Sequence, residues 1–105
     1  MTNVVVIFTT MPASGDTDEL ARTLVDERLA ACVNVHAPMT SVYRWQGSVE
    51  REPERQLVIK TTRDRVAAIA ERLRALHPYD LPEFLVLPVD GGSEAYLRWV
   101  TESSR

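Results

Sequence analysis

The chain has 105 residues, 45% of them hydrophobic, and its 15 acidic against 12 basic side chains give a net charge of −3. This length predicts one domain, spanning residues 1–105. The acidic balance disfavours nucleic acid as a partner, because phosphate binding needs a basic surface, and no apolar run is long enough to cross a membrane.

The first strand and helix are predicted from residues 4–30. Val4–Phe8 is a continuous, β-branched apolar run, typical of a strand buried on both faces. TTMPASGD interrupts it, and Asp16 can cap a helix with Glu19 three residues later. Apolar residues then follow at helical spacing, so we expect this helix to run to about Ala30.

A long β-hairpin is predicted next. ACVNV is a short strand, SVYRW continues the extended pattern after Pro38, and QG offers a turn. EREPER carries charges and Pro53, which suit an exposed edge, and QLVIKT is apolar. The outer part of the hairpin should be solvated and its base buried.

The last third of the chain predicts a helix, a strand and a short terminal helix. Apolar residues from Val66 to Leu76 form one helical stripe within residues 63–76, and Pro78 ends it. FLVLPV is the next strand, and Ser93 caps the final helix.

This order predicts an α+β fold, namely a ferredoxin-like βαββαβ sandwich with a C-terminal helix. The pattern assigns no helix to the second face of the sheet, although the first and last strands both look buried on two sides. We therefore expect another copy of the chain to cover that face.

The single cysteine, Cys32, excludes an internal disulfide and favours a reducing compartment. MTNVVVIFTT lacks a basic leader and a cleavage site, so we expect a cytoplasmic protein without a signal peptide.

Candidate metal ligands are few and lack the spacing of known metal motifs. Cys32 follows two alanines, as a small core residue does, and His36 fits a polar loop position. His77 ends the second helix, where the helix dipole favours a positive imidazole, so a capping role competes with ligand binding.

The stretch HPYDLPE, residues 77–83, concentrates polar chemistry between two prolines that restrict its shape. Tyr43 and Trp45 alternate along one strand and so share a face, where they cover the open sheet or a subunit contact. No glycine-rich elbow surrounds a serine, and DGGS before the last helix is a weak anion-binding signal.

Six stretches in order along the chain, LAACVNV, TSVYRWQG, LVIKT, HPYDLPE, LPV and YLRWV, closely resemble the CutA family of divalent-cation tolerance proteins. The resemblance implies a ferredoxin-like fold assembled as a homotrimer, with strands of neighbouring subunits pairing at sheet edges. It also implies a cytoplasmic protein that responds to metal ions, without catalysis, and that binds Cu²⁺ or another divalent metal weakly.

The resemblance also implies a ligand-binding cleft between subunits, with Glu54 matching the family pattern nearby. The implied cleft residues are Tyr43, Trp45, Lys60, Thr61, His77, Tyr79 and Glu83, of which His77 and Glu83 are the candidate metal ligands. Lys60 is the only lysine of the chain.

Four positions depart from the family pattern. Some metal-binding members have a cysteine where this chain has Phe8, and a second histidine where it has Leu76. The proline that usually follows the second strand in the family is displaced by one position here, to Pro38. Ser48 stands after the turn glycine, where family members often have a lysine. The first two departures count against a copper site of that kind, and leave a weaker site at His77 and Glu83.

Two other functions stay open on the residues alone. One is an enzyme that uses His77 and Glu83 as an acid/base pair, with Lys60 holding an anionic substrate. The other is a trimeric small-molecule sensor or regulator of the same fold class, a hypothesis that rests on architecture only.

Overall fold

A computed structural model describes residues 2–105. The described elements follow the predicted order of strands and helices. They are β1 (Val4–Pro12), α1 (Thr17–Asp26), β2 (Cys32–Val35), β3 (Met39–Trp45), β4 (Ser48–Thr62), a 3₁₀ turn (Arg63–Arg65), α2 (Val66–Leu76), β5 (Leu85–Pro88) and α3 (Glu94–Ser103).

The predicted α+β plan is confirmed, with one antiparallel sheet in the order β2-β4-β1-β5. β4 is its longest strand: residues 54–62 pair with β1, and residues 57–60 pair with β2 on the other side. The outer part of β4, residues 48–54, pairs with β3. We call residues 39–53 the arm, because this hairpin extends beyond the strands that carry the helices.

A β-bulge separates β2 from β3. Val35 pairs with Leu57 and Met39 with Glu54, so the three residues 36–38 oppose only the two residues 55–56. Pro38 lies in this bulge, where its missing N–H interrupts no ladder bond. The predicted QG turn is also confirmed, since Gln46 (φ 50°) and Gly47 (φ 83°) both adopt positive φ, as a tight two-residue hairpin turn requires.

α1 and α2 pack on one face of the sheet. Val5 and Ile7 of β1 and their neighbours Leu57 and Ile59 of β4 form its buried core, together with residues of both helices. The predicted caps are present, because Asp16 accepts a hydrogen bond from the Glu19 N–H and Ser93 accepts one from the Tyr96 N–H.

The second face of the sheet is only partly covered. α3 occupies one end of it, where Val100 packs with Val4 and Ala31. The expectation that no helix lies on this face was therefore wrong at this end, because Val100 is fully buried there. On β5, Leu85 and Leu87 are 54% and 39% exposed in the single chain, on the face where another copy is expected.

Two element ends also differ from prediction. β1 runs on to Pro12, because residues 9–12 pair with β4. α1 stops at Asp26 rather than near Ala30, and Arg28 then turns the chain with φ 60°. No helix within residues 2–105 has both the length and the apolar character needed to cross a membrane.

Candidate functional site

A cleft of about 910 Å³ lies between the arm and the HPYDLPE segment. β3 forms one wall, the ends of β1 and β4 form the floor, and residues 78–83 form the opposite wall. The lining residues are Thr10, Met39, Ser41, Val42, Tyr43, Arg44, Trp45, Glu54, Gln56, Pro78, Tyr79, Asp80, Leu81, Pro82 and Glu83.

Strand alternation determines which β4 residues reach this cleft. Leu57 and Ile59 point into the helix-covered core, so Glu54 and Gln56 fall on the second face of the sheet. Gln56 pairs directly with Thr10, which also lines the cleft. The cleft is therefore continuous with the sheet face that the helices α1 and α2 leave uncovered.

Glu54 and Tyr79 meet at the root of the arm. The Tyr79 hydroxyl donates a 2.7 Å hydrogen bond to Glu54 Oε2, and Glu54 is only 7% exposed. Burial and then this bond to Glu54 raise the pKa of Tyr79 well above its ordinary value of 10.0. The phenol therefore stays protonated near neutral pH and acts as a fixed hydrogen-bond donor.

Gln56 ties Glu83 to the sheet. Its Nε2 donates one 2.8 Å bond to the Thr9 carbonyl and another of 2.8 Å to Glu83 Oε2. Sequence reasoning missed Gln56, although it lies two residues after Glu54 and strand alternation places both on one face. With Tyr79–Glu54, this contact fastens the HPYDLPE segment to β4 at two points.

His77 holds the start of this segment through both ring nitrogens. Nε2 lies 2.6 Å from the Thr10 carbonyl oxygen, and Nδ1 accepts a 3.1 Å bond from the Tyr79 N–H. A carbonyl can only accept and a backbone N–H can only donate, so these partners select the neutral tautomer with its proton on Nε2. The charged imidazole expected at the helix end does not fit these contacts.

These contacts bear directly on the predicted metal site. As folded, His77 has no free nitrogen for a metal ion, because both ring nitrogens are hydrogen-bonded. Within residues 2–105, no group of three or more His, Cys, Asp and Glu side chains is arranged to hold a metal. A divalent metal at His77 and Glu83 therefore does not fit the single chain as it is folded.

The other two candidate metal ligands lie elsewhere. Cys32 is half-buried on β2, where the Asn34 amide donates a 3.7 Å contact to its sulfur, and His36 is exposed in the bulge. Neither lines the cleft described above.

Tyr43 and Trp45 share a face of β3, as predicted, and both line the cleft with about 40% of their surface exposed. Partial desolvation, followed by the carboxylates of Glu52, Glu50 and Glu54, raises the pKa of Tyr43. This aromatic wall is therefore bordered by negative charge.

Lys60 and Thr61 do not line the cleft of the single chain in the described residues. Thr61 is buried on the helix-covered face, where its hydroxyl donates a 2.6 Å bond to the Leu29 carbonyl. Lys60 lies on the second face, with its ammonium 5.8 Å from the centre of the Tyr96 ring. The structure thus brings four of the seven predicted residues into the cleft, namely Tyr43, Trp45, Tyr79 and Glu83, and places His77 in the adjoining pocket beside Tyr79 and Glu83.

Comparisons with known proteins agree with the resemblance of the six motifs. A family profile described as CutA1 divalent ion tolerance protein matches residues 5–103. The divalent-cation tolerance protein CutA of Thermus thermophilus is 43% identical over 99 residues, which cover 94% of this chain and 96% of that protein.

A longer relative and a solved structure extend this comparison. The chloroplastic protein CutA of Arabidopsis thaliana is 41% identical over 96% of this chain, which spans only 56% of that protein. The crystal structure of CutA from Xylella fastidiosa is 43% identical, covers 99% of this chain and 100% of that one, and superposes with a TM-score of 0.94.

Proposed function

This chain belongs to the CutA1 family of divalent ion tolerance proteins, and we propose that it acts as a homotrimer that binds a cationic ligand, without catalysis, in the cleft beside the arm. The observation that carries the proposal is the cleft itself, in which the Tyr79–Glu54 and Gln56–Glu83 contacts hold two carboxylates in fixed positions.

The trimer is supported by the apolar surface that the single chain leaves open. Leu85 and Leu87 on β5 and Tyr96 and Trp99 on α3 are all large side chains exposed by 39–54%. They lie on or beside the second sheet face, which α3 covers at one end only. A patch of this kind on a small domain indicates a protein interface, and a second copy of the chain is the simplest occupant.

The charge of the cleft supports a cationic ligand. Glu54, Asp80 and Glu83 all line it. Arg44 lies on the same wall, but strand alternation directs its side chain to the opposite face of β3 from Tyr43 and Trp45. Negative side chains with few nearby cations raise the local concentration of positive ions.

Oxygen ligands bind a hard divalent cation better than they bind copper, because copper favours imidazole and sulfur ligands. Because His77 is fully hydrogen-bonded, we propose that carboxylates, rather than the imidazole, make the first contacts with a metal, and that a neighbouring subunit completes the set. A single chain alone should therefore bind the metal ion weakly.

Native mass spectrometry of untagged protein tests this proposal, before and after addition of Cu²⁺ or Mn²⁺. A mass of three chains with metal uptake that falls in Glu54→Gln and Glu83→Gln variants supports it. Glu94→Gln is the matched control, because Glu94 is exposed on α3 and lies outside the cleft. Loss of uptake in His77→Ala alone would instead identify the imidazole as a ligand, and a monomer would exclude the trimer.

A small organic cation is the second candidate ligand, and the size and the aromatic wall of the cleft support it. The cleft volume of about 910 Å³ lies within the range of small-molecule sites, and Tyr43 and Trp45 supply an aromatic wall. A trimer that takes up no metal would favour this ligand. An acid/base enzyme is less well supported, because His77 and Glu83 are each bonded to other groups.

A cytoplasmic location is part of the proposal and stays a prediction. It rests on the single cysteine, Cys32, which is free in the structure. Two relatives, from Arabidopsis thaliana and Oryza sativa, are named as chloroplastic, so family membership does not determine the compartment.

A further inference from the structure

Glu54 is a buried carboxylate with no cation beside it. Its side chain is only 7% exposed, and Tyr79 donates one hydrogen bond to its Oε2. The other oxygen, Oε1, accepts no hydrogen bond from residues 2–105, and the ion pairs among these residues do not include Glu54. A carboxylate has about four acceptor positions, so a single donor leaves most of them unused. Because a buried charge is costly unless it is paired, Glu54 favours a cation supplied by a ligand.

Glu83 is the second fixed carboxylate of the cleft. Gln56 Nε2 donates to Glu83 Oε2 at 2.8 Å and to the Thr9 carbonyl at 2.8 Å. This amide therefore holds Glu83 beside position 56 of β4, whereas Glu54 occupies position 54 of the same strand. No arginine or lysine within residues 2–105 forms an ion pair with Glu83. The cleft thus presents two carboxylates whose positions are both set by β4.

The spacing along β4 indicates which ligand can reach both carboxylates. Glu54 and Gln56 are two residues apart, so their side chains lie on one face of the strand. Two residues of a strand rise by about 7 Å, and an extended diamine with four or five methylene groups holds its nitrogens roughly that far apart. A diamine with a shorter chain reaches only one of the two carboxylates.

Apolar side chains lie next to both carboxylates. Met39 pairs directly with Glu54 across the arm, so the two side chains share a face, and Pro82 precedes Glu83 in the chain. Met39 and Pro82 both line the cleft. The methylene groups of a ligand can be buried against such side chains while its charged ends bind the carboxylates. The aromatic wall of the cleft adds ring faces that attract a cation.

We propose that the cleft binds a linear diamine of about four or five methylene groups, with one ammonium at Glu54 and the other at Glu83. This inference rests on the cationic ligand proposed for the cleft and specifies its chemical class. An alkyl ammonium, like that of lysine, is charged near neutral pH. Each end of the diamine therefore forms a charge-assisted hydrogen bond with one carboxylate.

Isothermal titration calorimetry in an amine-free buffer provides the test. The probes are the terminal diamines diaminopropane, diaminobutane and diaminopentane, and the matched monoamines butylamine and pentylamine. We expect diaminobutane and diaminopentane to bind roughly tenfold more tightly than diaminopropane and than either monoamine, because only they engage both carboxylates.

Variants of the second carboxylate show where the additional affinity arises. In Glu83→Gln, diaminobutane should bind no more tightly than butylamine. Gln56→Ala should reduce the preference for diaminobutane over butylamine, because Glu83 keeps its charge but loses its fixed position. Glu94→Gln is the matched control and should retain the preference, because it removes an exposed carboxylate on α3 that lies outside the cleft.

The possible failures are distinct. A wild-type protein that binds neither the amines nor Mn²⁺ overturns the proposed cationic ligand and this inference together. Cation binding by the wild type without tighter binding of the two longer diamines overturns the inference alone. A preference for diaminobutane that persists in Glu83→Gln also overturns it, provided that the variant retains the wild-type circular dichroism spectrum, because Glu83 is then not the second contact.

Discussion

Tyr79 donates its hydroxyl to the carboxylate of Glu54 at 2.7 Å, across 25 residues of sequence. This bond fastens the segment after α2 to the root of the arm. It also satisfies a carboxylate that is only 7% exposed, so the position of the segment and the solvation of Glu54 depend on the same contact.

Replacement of Tyr79 by phenylalanine should lower the free energy of unfolding by about 1–2 kcal/mol, because Glu54 loses its donor while the ring is retained. Urea denaturation at matched protein concentration measures this change. Tyr43→Phe is the control, since the Tyr43 side chain is 42% exposed and should change stability little. Equal effects of the two variants would show that the Tyr79–Glu54 bond contributes nothing specific.

Alkaline titration tests the state of the same phenol. The pKa of Tyr79 is raised in the folded protein, chiefly by burial and then by Glu54. Its contribution to stability is therefore complete below the unfolded value of about 10 and is lost as the pH rises above it. We expect the wild type to lose more stability above pH 10 than Tyr79→Phe does. We also expect the absorbance at 295 nm to show a late ionisation step in the wild type that is missing in Tyr79→Phe. Identical late steps in the two proteins would contradict this.

The ion pair between α1 and α2 gives a third prediction. Arg72 binds Glu27 through two parallel bonds of 2.9 and 2.7 Å, with side chains 38% and 42% exposed. The Arg74–Glu71 pair is 71% and 76% exposed. Arg72→Ala should lower the melting temperature more than Arg74→Ala does, since solvent screens the outer pair more strongly. Thermal melts at low and high salt measure both, and a larger loss in Arg74→Ala would exclude this ranking.

Local patterns predicted the elements well, because their signals lie within a few residues. Asp16 and Ser93 cap helices in the structure as their spacing predicted. The end of β1 was misplaced because the apolar run stops at Phe8. Residues 9–12 are extended because they pair with β4, a partner more than 40 residues away that no local window contains.

The cleft was predicted only in part, for a similar reason. The motif resemblance identified Tyr43, Trp45, Tyr79 and Glu83, which the structure places around one cavity. Gln56 was missed because an amide carries no chemical signal of its own, and only its contacts with Thr9 and Glu83 show its role. Thr61 matches the family pattern, but alternation from Lys60 turns it into the core.

His77 gives the last prediction, because its contacts define one tautomer. At neutral pH, long-range ¹H–¹⁵N correlation should show a neutral ring protonated at Nε2, as the bonds to the Thr10 carbonyl and the Tyr79 N–H require. His77→Ala should lower the free energy of unfolding by about 1–3 kcal/mol through loss of both bonds, whereas His36→Ala, at an exposed position, should have little effect. A proton on Nδ1, or equal stability of the two variants, would show that the ring does not hold the segment. The imidazole would then be available to a metal ion.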